Sequence, residues 1–156
     1  MRKARYCALI IALLIFVAGC TKKGPAETGT HALGSWTFKG KTYNQSNCYV
    51  YNGGELIGAS TSPCSTLLLS FYNTVPTTSG TYDVVHNEFA NQVAIEFDDS
   101  ASGNQYYSYN YSGVIQPVSI TVSSTGKISV SGSNITLFNL NDRADSASFA
   151  LNMVQQ

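Results

Sequence analysis

The chain is short of charge, of histidine and of helical pattern. Nine Lys or Arg and nine Asp or Glu make up only 12% of its 156 residues. They form no basic patch, so nucleic acid is not an expected partner. The two histidines are His31 and His86. A Gly-x-Ser-x-Gly elbow is absent, and no third or fourth ligand stands at a spacing that would complete a metal site around a cysteine. No catalytic residue, metal or cofactor is expected, and the chain is read as a non-enzyme. Beyond the first 20 residues, no segment of ten or more repeats apolar residues at the helical period. The longest apolar run, Cys7 to Ala18, falls short of the roughly 20 residues that a spanning helix needs.

What is present instead is alternation. Trp36-Thr37-Phe38-Lys39-Gly40-Lys41-Thr42-Tyr43 alternates apolar and polar residues around a Gly40-Lys41 turn and predicts an opening hairpin, with Trp36 and Phe38 on one face. Cys48 to Tyr51 continues as strand and stops at Asn52-Gly53-Gly54, a strong turn signal. Leu67, Leu69 and Phe71 share one face of the next apolar run while Leu68 and Tyr72 take the other, which predicts a central strand apolar on both faces. Val93, Ile95 and Phe97 alternate with Glu96 and Asp98. Val118, Ile120 and Val122 alternate with Ser and Thr. Ile128 and Val130 return after Gly126, and Ser131-Gly132-Ser133 reads as a turn into Ile135 to Leu140. Phe149, Leu151 and Met153 close the chain on one face. About nine or ten strands at this regular spacing predict an all-β fold, an antiparallel β-sandwich with a β-barrel as the alternative.

Few residues in this pattern suggest chemistry. Tyr107, Tyr109 and Tyr111 fall at period two and share a strand face. An exposed row of such rings is a candidate ligand-binding platform for a sugar, though aromatics also favour strands for packing reasons. The acidic segments Asp98 to Asn104 and Asn141 to Asp145 read as solvated turns in preference to calcium loops. His86, near Asp83 and Glu88, is the single candidate for acid–base work, and the bland reading of a polar residue at a strand end is preferred. Cys48 and Cys64 are expected to form a disulfide, closing a loop of about 17 residues and stabilising the fold by roughly 3 kcal/mol.

The N-terminus carries the most specific signal. Arg2, Lys3 and Arg5 form a basic flank, an apolar core follows, and Val17-Ala18-Gly19-Cys20 ends it. These four residues resemble the lipobox of bacterial lipoprotein signal peptides. The resemblance implies removal of residues 1–19 as a signal peptide. It also implies lipidation of Cys20 with diacylglycerol and an acyl chain such as palmitate, an anchor of two or more chains. Residues 20–34 then form the lipidated cysteine and a flexible tether, reaching roughly 20 Å on average, and residues 35–156 form a single domain. The mature chain has six basic and nine acidic residues, a formal charge of −3. Thr21 in place of Asp points to the outer membrane under enteric-type sorting, with surface and periplasmic faces both open. With the Trp36–Tyr43 hairpin and the Gly80-Thr81-Tyr82 strand entry, the whole resembles small Bacteroidetes-type β-sandwich envelope lipoproteins. The expected function is that of a membrane-anchored, non-enzymatic module binding a glycan, a peptide or an envelope protein. The alternative is a structural lipoprotein docking a larger envelope complex, and a small hydrolase comes last.

Overall fold

The computed structural model describes residues 34–85, 89–108 and 114–156. These residues contain ten strands: β1 (Ser35–Phe38), β2 (Lys41–Tyr51), β3 (Glu55–Thr61), β4 (Cys64–Phe71), β5 (Gly80–Val85), β6 (Gln92–Asp99), β7 (Asn104–Ser108), β8 (Pro117–Val122), β9 (Ile128–Asn139) and β10 (Ser146–Val154). The predicted hairpin is β1–β2, with Trp36 opposite Tyr43. Its two-residue turn places Lys39 (φ 49°) and Gly40 (φ 75°) in the left-handed region, as a primed turn requires.

The strands close into a barrel, not a sandwich. The order β10-β1-β2-β3-β4-β6-β5-β8-β9 returns to β10 through the β9–β10 ladder, a ring of nine strands. β7 is inserted between β6 and β9, and every one of the ten strands is hydrogen-bonded on both sides. The alternation is that predicted for strands, but closure depends on pairs such as Ser35 with Asn152. Such long-range register is invisible to local pattern.

The wall is forked. The far side of β6 pairs with β5 through Gln92–Ala94 and with β7 through Glu96–Asp99. The far side of β9 pairs with β8 through Ile128–Ser131 and with β7 through Leu137–Asn139. Thus β7 fills the wall at one end and the β5–β8 pair fills it at the other. β1 covers only Lys41–Asn44 of β2, and the chain end Val154–Gln156 lies along the next stretch. A barrel near eight strands in circumference has an interior just wide enough for side chains to fill. Here Trp36, Phe38, Tyr43, Phe97, Tyr106 and Phe149 fill the half nearest Lys39, with Phe38 and Tyr106 edge to face at 4.5 Å. Leu56, Leu69, Val93, Ile120 and Ile128 are buried in the other half.

Where a strand stops inside the wall, its neighbours' backbone groups lose their ladder partners, and side chains replace them. The Gln45 carboxamide donates to the Val154 carbonyl and accepts from the Val154 N–H at 2.9 Å. Ser108 Oγ accepts from the Ile95 N–H at 3.0 Å and donates to the Val85 carbonyl. Gln116 accepts from the Thr136 N–H at 3.1 Å and donates to the Thr136 hydroxyl at 3.2 Å. Three polar side chains therefore act as stitches in an otherwise continuous backbone seam.

Two β-bulges correct the sequence reading. Ser131-Gly132-Ser133 is no turn, because β9 runs unbroken from Ile128 to Asn139 and shifts register against β10 between Gly132 and Ile135. In β2 the register shifts between Gln45 and Asn47. Tyr43 and Gln45 face inward, and the extra residue then turns Cys48 inward as well. Cys64 lies on the outer face of β4, out of step with buried Ser65 and Leu67. The expected Cys48–Cys64 disulfide is not formed, and Cys48 is a free, buried thiol. Cys48 pairs with Gly58, and Gly58 pairs with Leu67. The two cysteines are thus two strands apart across the sheet and three positions apart along it, about 10 Å in each direction, far beyond a disulfide's reach of about 7 Å. β4 also departs from a strand buried on both faces, since Leu68 is half-exposed and Tyr72 is 53% exposed.

A candidate binding groove at one barrel end

Antiparallel pairing sorts the turns to two ends. Lys39-Gly40, the 100–103 turn and the 140–145 turn gather at one end. The 52–54 turn, the 72–79 loop and the 123–127 turn lie at the other.

The Lys39 end carries the denser polar network. The Lys39 ammonium binds the Asp145 carboxylate and donates to the Tyr106 hydroxyl at 2.9 Å. Tyr106 Oη and the Asn139 amide each donate to the second Asp145 oxygen at 3.1 Å. The ammonium also sits 4.7 Å from the centre of the Tyr106 ring, within cation–π range. Burial works to lower the Lys39 pKa, but hydrogen bonds to Asp145 and Tyr106 outweigh it and hold the group above its ordinary value. Nearby, Asp99 is 6% exposed, accepts from Ser102 Oγ at 2.9 Å and lies 3.8 Å from Lys41. Burial, then the Asp99 charge, pushes the Tyr43 phenol up to about 12. An ammonium already clasped and a phenol held protonated are poor bases and nucleophiles at neutral pH. This network joins three turns.

The predicted acidic turns fall within it. Asp98 to Asn104 is a hairpin turn closed by the Ser102 and Gly103 N–H groups on the Asp99 carbonyl. In the 140–145 turn, Asp142 Oδ1 accepts from the Ala144 N–H at 3.0 Å, and the Asp145 ion pair is made with Lys39. Among the described residues, no three His, Cys, Asp or Glu gather where they could hold a metal. Cys48 is equally quiet, because burial pushes its thiol up to about 12, well above the range of reactive cysteines.

Of the tyrosine row, Tyr107 lies on the outer face of β7, opposite Glu96 on one side and Phe138 on the other. It is half-buried, and burial followed by the Glu96 and Asp98 charges raises its pKa. Tyr106 points inward, as period two requires. Tyr109 and Tyr111 lie outside the described residues, as do His31, His86, Glu88 and Cys20. Tyr107 continues an outward row that crosses the wall through Tyr49, Ile57, Leu68 and Glu96, ending at Phe138.

The opposite end holds an open groove of ≈ 240 Å³ lined by Asn52, Gly54, Glu55, Ser70, Phe71, Tyr72 and Asn73. Two connections build it. Asn52 (φ 48°) and Gly53 (φ 75°) reverse the chain after β2, and Asn73 (φ 64°) bends it after β4. Asparagine and glycine are the residues that tolerate this left-handed backbone. The connections are clasped together, with the Phe71 N–H donating to the Gly54 carbonyl at 2.9 Å and the Val75 N–H to the Gly53 carbonyl at 2.8 Å. Their backbones approach so closely that a Cβ on Gly54 would lie 3.2 Å from the Asn73 carbonyl oxygen. Phe71 beneath is buried and meets Tyr82 edge to face at 6.0 Å. Above it Tyr72 is 53% exposed, and Tyr51 on the adjoining strand end is 44% exposed.

The groove thus presents aromatic surface, two carboxamides, a hydroxyl and one carboxylate on a fixed backbone. It was not anticipated from the sequence. The available signal was a repeated Tyr-Asn pair, Tyr51-Asn52 and Tyr72-Asn73, at the ends of two long apolar-alternating segments. No protein-family model, curated protein or solved structure matches this chain.

Proposed function

We propose that this chain is a lipid-anchored envelope lipoprotein whose barrel is a non-enzymatic binding module, working through its surface. The lipobox Val17-Ala18-Gly19-Cys20 supports the anchor, and Cys20 is the residue that would carry the lipid. The observation that carries the binding reading is the Asn52-end groove. The barrel interior is occupied by its own side chains, so a ligand must be held outside, and the groove offers one exposed ring and two amides on a clasped backbone. A glycan, a peptide or an envelope protein remains the ligand class. The structural alternative, docking a larger envelope complex, has the outward row from Tyr49 to Phe138 in its favour. Docking by strand addition needs an unpaired edge, and all ten strands are paired on both sides.

The anchor is tested by growing cells on an alkyne-tagged palmitate analogue. The expected result is a labelled chain that loses the label in Cys20→Ser. Equal labelling of both would sink the anchor. The location is read by protease shaving of intact cells with a periplasmic lipoprotein as control.

A further inference from the structure

We infer that the groove takes one neutral pyranose ring of a glycan, stacked on Tyr72 and hydrogen-bonded by Asn52 and Asn73. This rests on the binding-module reading and names its ligand. Size comes first. At ≈ 240 Å³ the groove is smaller than the roughly 300–1,000 Å³ of sites that enclose drug-sized ligands. It is open, so it suits a single ring of a longer chain whose remainder stays in solvent.

Chemistry comes second. A pyranose has apolar C–H faces and a rim of hydroxyls that both donate and accept. Tyr72 supplies an exposed ring for the face. A carboxamide supplies donors and an acceptor together, so Asn52 and Asn73 can meet adjacent hydroxyls in either sense, with Ser70 as a third partner. The backbone bonds from Phe71 to Gly54 and from Val75 to Gly53 hold the two connections together before any ligand arrives, which reduces the ordering cost of binding.

Charge comes third. Among the described residues the lining holds no Lys, Arg or His. A uronate or sialic acid finds no cation there to pair with, so neutral sugars are favoured.

Peptide ligands fit less well. Each described strand already has a neighbour on both sides, which disfavours strand addition, and a helix-binding groove must be apolar along its length, which a lining of two asparagines, a serine and a glutamate is not.

The test uses the full chain purified in detergent micelles on an array of neutral glycans (mannan, β-glucan, chito-oligosaccharide) beside polygalacturonate. Binding to at least one neutral glycan and not to polygalacturonate is expected. Tyr72→Ala should weaken it roughly ten-fold, the scale of one lost aromatic stack. Ser70→Ala serves as a second groove variant with a smaller loss. Tyr107→Ala should leave binding unchanged, and an unaltered melting temperature shows that each variant is folded. Preference for polygalacturonate, or equal binding by folded Tyr72→Ala, overturns the inference. A photo-crosslinking residue placed at position 72 in intact cells separates the remaining failures. A protein or proline-rich adduct without glycan binding overturns the sugar and leaves the binding module standing. Neither adduct nor glycan binding removes both.

Discussion

Gln45 is 5% exposed and replaces a missing strand with one carboxamide. Truncation would strand both polar groups of Val154 in a partly buried seam. Gln45→Ala is therefore expected to cost about 1–3 kcal/mol, read as a lower urea midpoint at unchanged slope. Gln45→Glu still accepts from the Val154 N–H but cannot donate to its carbonyl, so it should not restore stability. Full recovery by glutamate would show that Gln45 acts by packing alone. Cys48 gives a second residue-scale prediction. With its thiol pushed up to about 12 and buried, iodoacetamide at pH 7.5 should leave it unmodified in the native protein and alkylate it in 6 M guanidinium. Mass spectrometry decides, and native labelling would contradict the inward orientation that the β2 bulge imposes.

Bulges and turns set the next scale. At the β9 bulge, a Cβ on Gly132 would lie 2.7 Å from Val118 Cγ1 and 3.1 Å from Ile135 Cδ1. Both contacts are short, β-branched side chains held in the core. At Gly58 the nearest atom is the Met153 Cε methyl at 3.0 Å, the far end of a flexible chain. Gly132→Ala should cost about 1–3 kcal/mol, and Gly58→Ala distinctly less. Thermal melts that reverse this ranking would refute the packing described. The acidic turns differ in sign. Burial, then the Asp99 charge, raises the Asp98 pKa above 3.8. Its neutral form is thus favoured in the fold, with full stability below pH 3.8 and a loss as pH rises through the raised value. Lys39, then Asn139, lowers the Asp145 pKa. Its contribution is present above pH 3.8 and is lost as pH falls through the lowered value. Asp98→Asn should accordingly raise the melting temperature at pH 7 and Asp145→Asn lower it, and both differences should shrink as the pH is lowered.

Strand faces were legible because alternation is local. Trp36 with Phe38, Leu67 with Leu69, and Val93 with Ile95 all face inward as the sequence indicates. The failures occurred where one inserted residue changed the parity. Without its bulge, β2 would turn Cys48 outward, and spacing alone suggested a bridge that orientation forbids. The groove was hidden for a different reason. Asn52 and Asn73 belong to separate turns, and only the β3–β4 register brings them together.

At the scale of the whole molecule, closure makes the fold one cooperative unit. Urea unfolding followed by near-UV and far-UV circular dichroism should give coincident transitions. Removing residues 154–156 deletes both Gln45 bonds, the two bonds between Gln155 and Ile128, and the Gln156 N–H to the Cys48 carbonyl. At about 1 kcal/mol each, that loss should lower stability by roughly 3–5 kcal/mol while keeping a single transition. Two separated transitions would show instead that the barrel opens in parts.

The pairing of β1 with β10 has a consequence for biosynthesis. The first strand to emerge from a ribosome waits for the last. Trp36 cannot be enclosed until Leu151 opposite it has been made, so synthesis and folding cannot overlap to completion. Local hairpins such as β1–β2 and β3–β4 can form earlier, but the ring of strands closes only when the chain's last strand is available.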